Sequence, residues 1–209
     1  MKKICVFLLS FLCIVTYSFI NTSLCMAEEQ KKINANIENN IIVLEDEDCF
    51  KSWLVRDENH IYYLAIDYNE MSLTIDNETY FFQKEKAISE QTRIDPTINY
   101  SSGINYSGTV PWKGSLTLLT TALSALLGAG NSVAGWASAI VSVLTADAEN
   151  IYITFTQYSS NEQYYSSYYG YYYNKRINMN IRFYESSVSS SNLIYGPVNG
   201  NWFDPIRPN

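Results

Sequence analysis

The longest uncharged stretch of the chain, residues 114–146, limits what the protein can fold into. It holds 33 consecutive residues without a charge. As one helix it would be about 50 Å long, whereas the hydrocarbon core of a bilayer is about 30 Å thick. Gly128 and Gly130 lie near its middle, and glycine is favoured where a helix ends and the chain turns with positive φ. The pattern therefore predicts two apolar helices, residues 115–127 and 132–145, joined by a tight turn as a helical hairpin.

Apolar side chains recur at helical spacing in both predicted helices, opposite Thr and Ser residues. Such a hairpin either packs as a core against neighbouring strands, or is shielded by them and released at a target membrane. A permanent anchor is disfavoured, because each arm would reach only about 20 Å and acidic residues follow the stretch. The residues that we expect to insert are Leu116, Leu119, Leu123, Leu127, Trp136, Ile140 and Leu144, with Gly128 and Gly130 as the hinge.

The N-terminus has the order of a secretory signal peptide. Lys2 and Lys3 precede an apolar run over residues 4–15, and Ala27 ends the polar stretch that follows. The run is shorter than the about 20 apolar residues that span a bilayer, so it indicates a signal rather than an anchor. We expect residues 1–27 to be cleaved near Ala27 and the protein to be secreted.

Cleavage would remove Cys5, Cys13 and Cys25 and leave Cys49 alone. A secreted chain with a single cysteine has no disulfide framework, so its stability must come from a hydrophobic core. The rest of the chain is long enough to form one.

Charge divides the expected mature chain into two regions. Residues 28–95 carry 16 acidic and 7 basic side chains, whereas residues 96–209 carry 5 of each. The first is an acidic N-terminal region and the second a neutral C-terminal region. The excess of acid argues against nucleic acid as a partner, because phosphate contacts need clustered Lys and Arg.

Alternating apolar and polar residues predict antiparallel strands on both sides of the uncharged stretch. The acidic region contains two expected β hairpins, with turns at residues 57–59 and 76–78. After the stretch, residues 151–156 and 177–184 alternate with period two and are expected to pair antiparallel. Residues 93–108 have the Gly, Pro, Asn and Ser content typical of a linker or long loop. The predicted fold class is therefore α+β.

Between those two strands lies an insert, residues 158–173, that holds eight of the 18 tyrosines. Tyrosine favours sites where the ring is buried and the hydroxyl is wet, as at a membrane surface, and it suits carbohydrate contact equally well. A merely exposed tyrosine-rich β ribbon is the structural alternative. The tyrosines that we expect at an interface are Tyr164, Tyr165, Tyr168, Tyr169, Tyr171, Tyr172 and Tyr173.

Enzyme chemistry finds little support. His60 is the only histidine, and beside a predicted turn a solvent-facing ring is its simplest interpretation. Cys49 could pair with it, but we interpret Cys49 as a small buried side chain. Residues 45–48 are acidic but lack the Gly turn and ligand spacing of a calcium loop, and the chain has no Cys pairs or His cluster for zinc. We expect no catalytic, metal-binding or cofactor-binding residues.

Residues 100–209 contain an ordered set of segments. These are Tyr106-Ser107-Gly108, Pro111-Trp112-Lys113-Gly114, the uncharged stretch, the tyrosine-rich region and Trp202-Phe203-Asp204-Pro205. This order resembles the large secreted geobacillin-type bacteriocins of Gram-positive bacteria. The resemblance implies an extracellular antibacterial protein without a lanthionine or disulfide scaffold, and it brings no catalytic residues with it.

Two functional hypotheses follow. The first is a secreted, bacteriocin-like antibacterial protein that acts at a target-cell membrane or surface component through the helical hairpin. The alternative is a non-enzymatic extracellular module that binds a glycan or protein through its tyrosines, with the hairpin only as core. Release of dye from liposomes separates them, because only the first predicts leakage.

Overall fold

The computed structural model describes residues 40–58, 60–85, 103–130 and 132–207. Within these residues the fold is mixed α+β, with two antiparallel sheets and two helices, and strands dominate. The predicted α+β class with antiparallel strands is confirmed. Val43–Asn209 forms one compact unit, and of Met1–Ile42 only residues 40–42 are described. The predicted signal peptide, residues 1–27, lies outside the described residues.

The first sheet has five strands, and their spatial order follows their order in the sequence. They are β1 (Ile41–Glu47), β2 (Phe50–Asp57), β3 (His60–Asp67), β4 (Ser72–Ile75) and β5 (Glu78–Phe81). β2 pairs with β3 and β4 pairs with β5, so both predicted hairpins are confirmed. Val55, Leu64 and Leu73 are fully buried, because alternate residues of a strand share one face and this face is covered.

Two helices form within the uncharged stretch, α1 (Leu116–Leu127) and α2 (Ser132–Val141). α1 begins where the Ser115 hydroxyl accepts a hydrogen bond from the backbone N–H of Leu118 at 3.1 Å. It ends at Gly128, whose φ of 62° closes the last turn. Two helices at these positions agree with the sequence pattern, and their arrangement as a hairpin stays a prediction.

The second helix is shorter than the sequence predicts, because it ends at Val141 and not at Thr145. The Ser142 hydroxyl donates to the Ala139 carbonyl at 2.7 Å, and the Thr145 N–H donates to the Glu185 carboxylate at 2.7 Å. These side chains satisfy backbone groups near the helix end, so no further helical turn is needed to pair them.

The second sheet also has five strands, in the spatial order β10-β9-β8-β7-β6. They are β6 (Gln83–Glu85), β7 (Ile104–Pro111), β8 (Asn150–Ser166), β9 (Tyr171–Tyr184) and β10 (Leu193–Val198). β8 and β9 pair antiparallel, which confirms the pairing predicted for residues 151–156 and 177–184.

One sequence prediction near this sheet is wrong. Residues 104–108 belong to β7, although their composition predicts a linker. Pairing with β6 on one side and β8 on the other satisfies the backbone of this polar segment, so it forms a strand. Of the remaining predicted linker residues, Gly103 lies just before β7 in neither helix nor strand, and residues 93–102 lie outside the described residues. The division of the chain at residue 95 stays a prediction for the same reason.

A single hydrophobic core includes side chains from both sheets and both helices. Its fully buried members include Ile66 of β3, Leu119 and Leu123 of α1, Ile140 of α2 and Phe183 of β9. Full burial of one such side chain stabilises a fold by about 1.5–3 kcal/mol. In the part of the chain that the structure describes, neither helix has the length and apolar character needed to cross a membrane.

Candidate functional site

The tyrosine-rich segment forms the outer end of the β8–β9 hairpin. Its cross-strand pairs are Tyr164 with Tyr173, Tyr165 with Tyr172, and Ser166 with Tyr171. The insert therefore has the form given above as the structural alternative, a tyrosine-rich β ribbon, because β8 and β9 continue through it to a turn at residues 167–170. Tyrosine favours strands, where its ring packs against cross-strand neighbours, so the segment extends the ladder. Residues 164–173 are called the tyrosine ribbon below.

Two tyrosines of the ribbon are tied to the end of β1 and to the turn that follows it. The Tyr169 hydroxyl donates to the backbone carbonyl of Asp46 at 2.7 Å. The Tyr171 hydroxyl donates to the carboxylate of Asp48. Burial, followed by this hydrogen bond, raises the pKa of Tyr171. Tyr171 is therefore a protonated donor at neutral pH, and it helps to hold the ribbon against the first sheet.

A third tyrosine is tied to the C-terminal segment. The Tyr173 hydroxyl donates to the Asp204 carboxylate at 2.7 Å, and the Lys175 ammonium lies 3.9 Å from the same carboxylate. Lys175 also lies 4.5 Å from the centre of the Tyr164 ring, within the range of a cation–π contact. Burial and the hydrogen bond to Asp204 raise the pKa of Tyr173 to about 12. Hydrogen bonds thus hold the turn and the β9 strand of the ribbon, and the cation–π contact of Lys175 with Tyr164 adds a link to β8.

Three tyrosines of the ribbon are exposed, and we call them the exposed tyrosine cluster. The exposed fractions are 48% for Tyr165, 59% for Tyr168 and 64% for Tyr172. The rings of Tyr165 and Tyr172 lie 5.1 Å apart at 58°. The guanidinium of Arg207 lies 4.4 Å from the centre of the Tyr168 ring, which gives the cluster a positive charge at one side. The ribbon therefore presents aromatic rings on a backbone that hydrogen bonds hold in place.

Most of the residues proposed for membrane insertion are buried, unlike the exposed tyrosine cluster. Leu119, Leu123, Leu127 and Ile140 are fully buried, and Trp136 retains only 8% of its exposure. By contrast, Leu116 is 43% exposed at the start of α1, and Leu144 is half-buried beyond the end of α2. Most of the set is therefore core in this structure, and it does not form one surface.

The two glycines proposed as the hinge have left-handed backbone conformations. The φ of Gly128 is 62° and that of Gly130 is 56°. Gly128 also has a tight neighbour, because a Cβ added to it would lie 2.1 Å from the ring of Phe203. Nothing lies within 4 Å of the corresponding position at Gly130. The two glycines therefore have different structural roles, which their spacing in the sequence does not show.

A buried amide pair was not predicted from the sequence. The Gln157 side-chain N–H donates to the Asn178 side-chain oxygen at 3.0 Å. The Asn178 side-chain N–H donates in turn to the Leu126 carbonyl at 3.2 Å near the end of α1. Leu118 of α1, also not singled out, is 1% exposed. The burial of Gln157 could have been predicted from the sequence, because Gln157 continues the period-two pattern of inward-facing residues 151, 153 and 155.

Cys49 and His60 lie at opposite ends of the β2–β3 hairpin, so they do not form the Cys–His pair considered from the sequence. Burial raises the pKa of Cys49 to about 11, so the thiol is not activated as a nucleophile. His60 is exposed, as expected of a ring beside a turn. Lys51 pairs with Asp46 of the acidic run at 3.4 Å. Among the described residues, no group of three or more His, Cys, Asp or Glu is placed to hold a metal ion.

No protein-family model, curated protein or solved structure matches this chain. The resemblance to geobacillin-type bacteriocins stays a hypothesis. Function is therefore inferred below from the geometry of the chain itself.

Proposed function

We propose that the protein is a non-enzymatic extracellular binding protein whose exposed tyrosine cluster contacts a surface glycan. The observation that carries this proposal is the division of the tyrosine ribbon. Tyr169, Tyr171 and Tyr173 are tied down by hydrogen bonds. Their neighbours Tyr165 and Tyr172 extend into solvent. Rings held on a rigid ladder lose little conformational freedom when they bind, which is the property that makes tyrosine effective in binding sites.

The area of the cluster favours a glycan over a protein as the ligand. A fully covered aromatic side chain buries roughly 150–250 Å². The three exposed rings, each about half to two-thirds exposed, therefore offer on the order of 300 Å². A stable protein interface buries about 800 Å² on each partner. A short run of sugar rings fits the smaller area.

The chemistry of the cluster also suits sugars. The face of a tyrosine ring carries negative charge density, and the C–H groups on one face of a sugar ring carry partial positive charge. Stacking of these faces leaves the hydroxyls of Tyr165 and Tyr172 able to bind sugar hydroxyls, and the Arg207 guanidinium over the Tyr168 ring adds further donors beside them. Secretion, inferred from residues 1–27, would place the cluster where cell-surface glycans occur.

The membrane-active hypothesis is a second proposal, and one observation favours it. Both helices lack charged side chains, and left-handed glycines stand at the end of α1. As a helical hairpin they could bend away from the sheets at these glycines. The free-energy cost is high, because this movement would expose four fully buried side chains, Leu119, Leu123, Leu127 and Ile140. Their burial stabilises the fold by roughly 6–12 kcal/mol in total. That is comparable with the whole stability of a typical domain, about 5–15 kcal/mol, so glycan binding ranks first.

Co-sedimentation with insoluble polysaccharides tests the proposed function. Residues 28–209 would be mixed with peptidoglycan sacculi, chitin and cellulose, and the bound fraction measured. We expect at least one of these to retain the protein, and Tyr165→Ala/Tyr172→Ala to lose most of the binding. Phe81→Ala is the matched control, because Phe81 is an equally exposed aromatic at 64% on β5, outside the ribbon.

Two results would overturn the proposal. One is equal binding by the double variant and the wild type. The other is release of dye from liposomes by the wild type with no retention on any polysaccharide, which would support the membrane-active hypothesis instead.

A further inference from the structure

A polar groove lies on the second sheet, far along the hairpin from the exposed tyrosine cluster. Its volume is about 170 Å³, and its polar lining includes Glu85, Asn105, Thr154, Thr156, Asn180 and Arg182. Tyr165 is nine residues beyond Thr156 on β8, which at about 3.3 Å per residue is a distance of roughly 30 Å. The groove is therefore a separate candidate site.

Strand pairing brings these side chains together in two adjacent rows. Glu85 of β6 is opposite Asn105 of β7, and Asn105 is opposite Thr156 of β8. In the next row, Thr154 of β8 is opposite Arg182 of β9. Directly opposite residues have Cβ atoms about 4.5–5.5 Å apart, so the two rows form a continuous polar patch. The alternate residue Phe155 is buried in the core, which leaves this polar face outward.

A β-bulge shapes one wall of the groove. The register between β8 and β9 shifts between Thr154 and Thr156, so β9 has an extra residue here. Asn180 lies in this bulge with φ of 56°, a left-handed conformation that costs most residues about 1–2 kcal/mol. The side chain of Asn199 holds it there by accepting a hydrogen bond from the Asn180 N–H at 2.9 Å. Bulges and held left-handed residues of this kind are concentrated at binding sites.

The groove carries one charge of each sign. Within the described residues, Glu85 and Arg182 form no salt bridge with each other or with another side chain. The Thr156 hydroxyl donates to the Asn105 side-chain oxygen at 2.8 Å. This bond leaves the Asn105 amide N–H₂ as a donor and the Thr156 oxygen as an acceptor. The lining thus offers donors and acceptors in close alternation.

We infer that the groove binds a single neutral sugar ring of hexose size. Every hydroxyl of a sugar is both donor and acceptor, which matches a lining of amides, hydroxyls, one carboxylate and one guanidinium. Glu85 and Arg182 together give the lining no net charge, so it has no net attraction for a simple ion of either sign. The volume is below the about 300 Å³ at which pockets for drug-sized ligands begin, which limits the ligand to one ring.

Titration of the full-length secreted chain followed by backbone NMR tests this inference. The probes are free glucose, galactose and N-acetylglucosamine, with glycine and sodium phosphate as comparison ligands. We expect one hexose to shift the amide resonances of residues 105, 154, 156 and 182 with a millimolar Kd. Asn105→Ala and Arg182→Gln should each weaken binding about tenfold, equivalent to about 1.4 kcal/mol.

Two controls distinguish this site from the tyrosine cluster and from unfolding. Thr109→Val lies on β7 outside the groove lining, and it should leave the affinity unchanged. Tyr165→Ala/Tyr172→Ala should also leave the hexose-induced shifts of the groove resonances unchanged, whatever its effect on polysaccharide retention. The inference is overturned if no hexose shifts these resonances, if glycine or phosphate shifts them and the hexoses do not, or if both groove variants bind as well as wild type.

Discussion

The ring of Phe203 packs directly over Gly128 at the end of α1. A Cβ placed on Gly128 would lie 2.1 Å from Cδ1 of Phe203, closer than two carbon atoms can approach. Gly128 also has φ of 62°, and its N–H closes the last turn of α1 by donating to the Ser124 carbonyl at 3.0 Å. Phe203 in turn exchanges two backbone hydrogen bonds with Arg176 of β9. This contact therefore joins the helix end to the second sheet.

We predict that Gly128→Ala destabilises the protein by roughly 2–5 kcal/mol, because it adds left-handed strain to an overlap with Phe203. Gly130→Ala should cost only about 1–2 kcal/mol, because Gly130 has the same left-handed φ but no neighbour within 4 Å. Thermal melting of the two variants, compared with wild type, measures the difference. Equal melting temperatures for the two variants would show that Phe203 does not restrict residue 128.

The buried amide pair provides a second prediction. Asn178→Leu should destabilise the fold by roughly 2–4 kcal/mol, because Gln157 and the Leu126 carbonyl lose their partner in a buried site. The double variant Gln157→Leu/Asn178→Leu should be more stable than Asn178→Leu alone, since it leaves one fewer buried polar group. Urea denaturation of the single and double variants measures this coupling. A double variant that is no more stable than Asn178→Leu would contradict the prediction.

A third prediction concerns alkaline pH. The pKa of Tyr173 is about 12 in the folded protein, above its ordinary value of 10.0, because of burial and the hydrogen bond to Asp204. Its contribution to stability is therefore complete below pH 10 and is lost as the pH rises towards about 12. Urea denaturation at pH 8, 10 and 11 should show a falling free energy of unfolding, and Tyr173→Phe should flatten the fall. An identical slope for the variant would remove Tyr173 as a cause.

Cys49 gives a fourth prediction, on reactivity. Its thiol has a pKa of about 11, raised first by burial and also by Asp48, while Arg176 acts in the opposite direction. At pH 8 the folded protein should react with iodoacetamide on the order of 10–100 times more slowly than the urea-unfolded protein, because only the thiolate reacts. Mass spectrometry of timed samples gives both rates. Equal rates would mean that the folded protein leaves the thiol as reactive as in an open chain.

Local patterns in the sequence predicted much of the secondary structure. Turns at residues 57–59 and 76–78 and the period-two pattern of residues 151–156 depend on neighbouring residues, and these strands are confirmed. The end of α1 at Gly128 depends on local backbone chemistry in the same way. Pattern alone failed at residues 104–108, where partners on two other strands stabilise a segment of loop-like composition.

The candidate sites were less accessible to sequence reasoning. The tyrosines stood out by number, but only the long-range hydrogen bonds of Tyr169, Tyr171 and Tyr173 separate the anchored rings from the exposed ones. The groove depends on register across four strands and on the bulge at Asn180. The spacing of residues along the sequence does not give that register, so the sequence did not predict Glu85 and Arg182 as members of a site.

The length of β8 has a mechanical consequence. β8 runs for 17 residues, or roughly 55 Å, from the core to the tyrosine ribbon. A pull on the ribbon, with the other end of the molecule held, would act along this strand. The hydrogen bonds to β7 and β9 lie across that direction, so they would share the load in shear instead of breaking one after another. If the ribbon binds a surface ligand, a pulling force would therefore dissociate the ligand before it separates the strands of the sheet.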